Sequence, residues 1–164
     1  MKKYIALSVM MALLFFSCKK DATDIPIGTI KVDIGGNNSS FSVQAKATRL
    51  PVTGGYGIQI QGNYRTGSTT NLSFSVVSPT QISTGVYTEN TTGNPLVTMT
   101  HCTEVLFPCV VQANNYGSTG NPVSITITEI NSSFVKGTFK GELLNLGGTS
   151  GTEVLSNGTF YVSF

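Results

Sequence analysis

The sequence has no tryptophan, one histidine (His101) and three cysteines, and only 11% of its residues are charged. Each shortage removes a class of chemistry. A Ser-His-Asp hydrolase would have to use His101 together with Asp33, the one aspartate beyond residue 24, and no G-x-S-x-G turn presents a serine nucleophile. His101 alternates with Val97 and Met99, a pattern that predicts a structural histidine on an apolar strand face. For zinc, His101, Cys102 and Cys109 supply at most three of the usual four ligands, and no Asp/Asn-rich run resembles a calcium loop. No metal and no cofactor is expected. Without Lys2 and Lys3 the eight remaining basic residues balance the eight acidic ones, and no basic cluster follows Lys19-Lys20, so nucleic acid is not expected as a partner. The longest apolar run, Tyr4 to Phe16, is broken only by Ser8 and falls short of the roughly 20 residues a membrane-spanning helix needs.

That run has another use. Lys2 and Lys3 before it form a positive n-region, and it ends in Leu14-Phe15-Phe16-Ser17-Cys18, which resembles the lipobox of bacterial lipoprotein precursors. The resemblance implies that residues 1–17 are a signal peptide and that Cys18 carries lipid, palmitate included. The chain would then be attached to a membrane without spanning it, since two or more acyl chains at about 0.8 kcal/mol per buried methylene anchor stably. Cys18-Lys19-Lys20-Asp21, continued by Ala22-Thr23-Asp24, is similar to the mature N-termini of Bacteroidetes-type outer-membrane lipoproteins. The ending built from Val123–Glu129, Val135–Leu143 and Asn157–Phe164 resembles a recurrent ending of small uncharacterised Bacteroidetes-type lipoproteins. This likeness implies the cell envelope and an all-β domain. It brings no activity with it, and it leaves the surface and periplasmic faces of the outer membrane both open.

Residues 18–27 read as a polar tether containing Pro26, and 28–164 as a single domain. Alternation with a period of two recurs along that domain: Ile30, Val32 and Ile34; Phe41 to Ala47; Tyr56, Ile58 and Ile60; Leu72, Phe74 and Val76. Weaker strands are expected near 85–88, 96–101 and 109–113. Clear ones follow at Val123 to Ile127, Val135 to Leu143 and Phe160 to Phe164. Gly35-Gly36-Asn37-Asn38, Gly93-Asn94-Pro95 and Asn157-Gly158 read as turns. Nine or ten antiparallel strands, each apolar on one face, predict a β-sandwich, with a closed lipocalin-like barrel as the alternative.

The segment from Val123 to Leu143 predicts a hairpin in which Ile127 faces Gly137, Ile125 faces Phe139 and Val123 faces Gly141, closed by Ile130 opposite Phe134 around Asn131-Ser132-Ser133. Cys102 and Cys109, the cysteines left once Cys18 carries lipid, are expected to form a disulfide in an exported domain. The loop between them holds Val105, Leu106 and Phe107, which either cap the core or offer an apolar contact to a partner. Tyr64, beside Asn63 and Arg65, and Tyr116, beside Asn114 and Asn115, pair rings with amides in polar turns, as sugar-binding surfaces do. The leading expectation is a non-enzymatic module that binds glycan or an envelope protein. The rivals are a polysaccharide hydrolase using two of Glu89, Glu104, Glu129, Glu142 and Glu153, and a purely structural envelope component.

Overall fold

The computed structural model describes residues 25–90, 92–103, 110–114, 121–145 and 151–164. They form eleven strands: β1 (Thr29–Ile34), β2 (Asn37–Phe41), β3 (Val43–Leu50), β4 (Tyr56–Asn63), β5 (Asn71–Ser78), β6 (Gly85–Thr88), β7 (Leu96–Thr103), β8 (Val110–Asn114), β9 (Ser124–Ile130), β10 (Phe134–Asn145) and β11 (Thr152–Ser163). Every pairing is antiparallel. The architecture is a β-sandwich and not a closed barrel. One layer runs β2-β1-β11-β10-β9-β6 and the other β8-β7-β5-β4-β3. The two are joined where the end of β10 leaves β9 and pairs with β8 through Leu143, Leu144 and Asn145. The hydrogen-bonded path ends at β2 on one side and β3 on the other, although Ser42 alone separates these strands in sequence.

The inward residues of both layers make one core. Phe74 from the second layer meets Phe139 and Phe160 from the first, at ring-centroid distances of 4.8 and 5.3 Å. Ile30, Ile58, Ile60, Leu72, Met99, Ile125 and Ile127 fill the space around them. Ile25 is buried as well, so the chain joins the domain before β1 begins.

The hairpin from β9 to β10 has the expected parity: Ile127 faces Gly137, Ile125 faces Phe139, and the alternate pairs are Thr126 with Thr138 and Ser124 with Lys140. Its closed end differs by one residue. Ile130 pairs with Val135 instead of Phe134, and a bulge between the Glu129–Lys136 and Ile127–Gly137 pairs restores the register. The cause is Asn131, whose side-chain carbonyl accepts hydrogen bonds from the backbone N–H groups of Ser133 and Phe134 and so draws a fourth residue into the turn. Thr128, the residue left over by the bulge, donates its hydroxyl to the carbonyl of Lys136.

Two turn assignments also change. Gly35 and Gly36, at φ of 55° and 85°, form a two-residue hairpin turn, so Asn37 and Asn38 already belong to β2. Asn157-Gly158 is no turn. It is a bulge inside the twelve-residue β11, with Asn157 at φ 52° and its amide donating to Asp33 Oδ2 at 2.8 Å. Asp33 also accepts from Asn38 Nδ2 at 2.9 Å, which ties β2, β1 and β11 together on their outer face.

Candidate functional site

Alternation along β7 places Val97, Met99 and His101 inward, and all three are buried. The first two meet apolar neighbours. His101 lies near the strand's end, where the layers diverge, and its Nδ1 is 2.7 Å from Oε2 of Glu153 at the start of β11. A carboxylate can only accept, so Nδ1 carries the proton of this bond and Nε2 is the ring's remaining polar atom. The strands involved are not neighbours: β8 and β10 stand between them in the sheet, and the pair closes across the gap between layers.

Phe41, at the end of β2, forms the floor. It is 1% exposed and meets the His101 ring edge-on at 5.8 Å and the Tyr64 ring at 6.1 Å. Tyr64 follows β4 directly and is 49% exposed. Its backbone N–H donates to the carbonyl of Thr70, closing the turn that returns the chain to β5. Around these groups is a cleft of about 510 Å³, with Ser39, Thr70, Thr103 and Arg65 among its lining residues. Its size falls within the range of small-molecule sites. The lining thus combines the Phe41 and Tyr64 rings, the hydroxyls of Ser39, Thr70 and Thr103, and the buried imidazole with its carboxylate.

A larger depression, of about 670 Å³, lies on the outer face of β9, β10 and β11. Serine, threonine and lysine side chains dominate its lining and no exposed ring is present, so the smaller cleft has more of the features that ligand recognition needs.

Of the residues singled out in the sequence, the structure brings Tyr64, His101 and Glu153 into this cleft. Cys102 is half-buried on β7, paired with Val111 of β8. Cys18, Val105, Leu106, Phe107, Cys109 and Tyr116 lie outside the described residues. Sequence reasoning placed His101 on the correct face but missed its role in the cleft. It named Glu153 only as one of five glutamates for a hydrolase, not as a partner of His101, and it missed Phe41 as a site residue. The signal for Glu153 was weak, because the first half of β11 lies before Asn157-Gly158, which looked like a turn.

Glu153 is the one carboxylate among the described residues lining the cleft. Glu129 is exposed on β9, Glu142 accepts a hydrogen bond from Asn121, and Glu89 is buried near Val123. Glu104 lies outside the described residues. Among those described, no three His, Cys, Asp or Glu side chains gather as a metal site would require. No protein family, curated protein or solved structure matches the chain.

Proposed function

We propose that this protein is a lipid-anchored module of the cell envelope that binds a glycan in the cleft beside Tyr64, without acting on it chemically. The observation that carries the reading is the combination of a half-exposed tyrosine ring with hydroxyl and imidazole groups over the buried Phe41 floor. A sugar ring offers an apolar face for stacking and a rim of hydroxyls. Tyr64 suits the face; Ser39, Thr70, Thr103 and the His101–Glu153 pair suit the rim. Two carboxyls facing each other about 5 to 9.5 Å apart, as glycoside hydrolysis requires, are not what the described lining offers, and this favours binding over cleavage.

Attachment through Cys18 and location at the outer membrane form part of the same proposal, supported by the lipobox-like sequence. Labelled palmitate is expected in the wild-type protein expressed in its native host and absent from Cys18→Ser. The binding test is a glycan array and pull-down with the soluble domain starting near Asp24. Retention of a glycan by the wild type, weakened at least about tenfold (about 1.4 kcal/mol) in Tyr64→Ala, is the expected result. A glycan held equally by both forms would move the site elsewhere. A protein captured with no glycan retained would favour an envelope-protein partner instead.

A further inference from the structure

We infer that the cleft selects uncharged saccharides over uronic acids, because His101 and Glu153 meet the ligand as hydrogen-bond acceptors that its hydroxyls must satisfy. The inference rests on the reading of the cleft as a glycan site.

Most polar groups of the lining carry no preference of this kind. The hydroxyls of Ser39, Thr70 and Thr103 donate or accept as a ligand requires, and the Asn37 amide offers both. His101 differs, because its Nδ1 proton is committed to Oε2 of Glu153 at 2.7 Å. In the neutral ring Nε2 then keeps a lone pair and can only accept. Among the described residues nothing bonds to Nε2, and it is not one of the polar atoms sealed from solvent without a partner. It is therefore open to the cleft that His101 lines. Glu153 contributes the same sign: its side chain is 21% exposed, and with Oε2 engaged the carboxylate still has Oε1 to offer as an acceptor.

The charges point the same way. With the ring neutral, the charged side chains among the described lining residues are Arg65 and Glu153, one of each sign. Their settings differ. Arg65 is exposed, where water and salt weaken its field, whereas Glu153 bonds to a ring whose side chain is only 6% exposed. A uronate carboxylate brought to His101 would set acceptor against acceptor and negative charge against negative charge, and both oppose binding. A hydroxyl in the same place donates to Nε2 or to Oε1. Sites built to bond a hydroxyl reject ligands without one strongly, because their own polar groups are left unpaired.

The experiment is titration calorimetry of the full chain, in a detergent without sugar headgroups, against disaccharides of glucose, galactose and mannose, each matched with the disaccharide of its uronate. The expected result is binding of a neutral member, with its uronate at least about tenfold weaker. That gap should narrow in Glu153→Gln, which keeps an oxygen for Nδ1 while removing the charge and turning the other oxygen into an N–H donor. Imidazole nitrogen NMR of the wild type supplies a readout independent of any variant: Nε2 is bare in the free protein, and its signal moves on addition of the neutral sugar. Equal affinity for both members of a pair, lost in Tyr64→Ala, overturns the selectivity and leaves the glycan site in place. So does tighter binding of a uronate that Arg65→Ala weakens, which would assign the ligand's carboxylate to Arg65. A proton on Nε2 in the free protein, or an unmoved Nε2 signal with sugar bound, overturns the acceptor role. Binding of no member of any pair overturns the inference together with the glycan reading.

Discussion

The imidazole of His101 and the carboxylate of Glu153 meet at 2.7 Å from strands in different parts of the sheet, 52 residues apart in sequence. His101 is almost wholly enclosed and Glu153 about one-fifth exposed at the side chain, so the bond lies where the core opens into the cleft. Here the packing of the fold and the chemistry of the site share one interaction. Removing the acceptor leaves a buried N–H without a partner, at a cost of about 1–3 kcal/mol. Glu153→Ala is therefore expected to lower unfolding stability by that amount in urea titrations. Glu153→Gln, which retains an acceptor oxygen, should lose less. Imidazole nitrogen NMR should report the proton on Nδ1 in the wild type. Equal stability of all three proteins would show that the bond contributes nothing to folding.

Asp33 provides a pH test. Hydrogen bonds from Asn157 first and Asn38 second hold its carboxyl below the ordinary value of 3.8. A carboxyl depressed in the folded state contributes stability above its unfolded pKa, and that contribution is lost as pH falls through the lower folded value. Asn157→Gly removes the stronger donor while tolerating the positive φ of the bulge. In carboxyl NMR titrations Asp33 should therefore titrate closer to 3.8 in this variant than in the wild type. An unchanged midpoint would show that the Asn157 contact does not hold the carboxylate.

Gly137 on β10 tests the hairpin register. A Cβ there would collide with the carbonyl oxygen of Thr126 and with the Phe160 ring. Gly137→Ala is expected to cost about 1–3 kcal/mol or more, as overpacking does in a filled core. Gly151→Ala, which meets nothing within 4 Å, should change stability by no more than about 0.5 kcal/mol. Chemical denaturation of the two variants side by side is the measurement. Equal effects would mean that Gly137 does not face Ile127 and Thr126 as described.

The same hairpin shows how far the residues foretell the fold. Period-two alternation gave the face of Ile125, Ile127 and Phe139 because a slip of one residue would send a whole apolar set to solvent. It was off by one at Ile130, where the Asn131 side chain, a local hydrogen-bonding effect that alternation does not register, set the turn. Asn157-Gly158 failed for a related reason. The dipeptide supplies the same left-handed conformation to a turn and to a bulge, and only the strands on either side decide between them. The cleft was legible at Tyr64, whose exposed ring stands in a polar segment. At Glu153 it was not, because nothing near that residue in sequence signals a partner 52 positions away.

The final prediction concerns Cys102 and Cys109. Thr103 pairs with Val110 where β7 meets β8, and residues 104–109 connect the two strands. A disulfide closing so short a loop adds about 2.5 kcal/mol in the chain-entropy model, less than a long loop would. Thr103 also lines the cleft, so the crosslink would steady one lip of it. Peptide mapping of unreduced protein is expected to recover the two cysteines in one linked fragment. Cys102→Ser and Cys109→Ser should lower stability by similar amounts and should each weaken glycan retention without abolishing it. Full alkylation of both thiols in unreduced protein would refute the crosslink. Loss of stability with no change in retention would mean that the bond strengthens the fold and leaves the site alone.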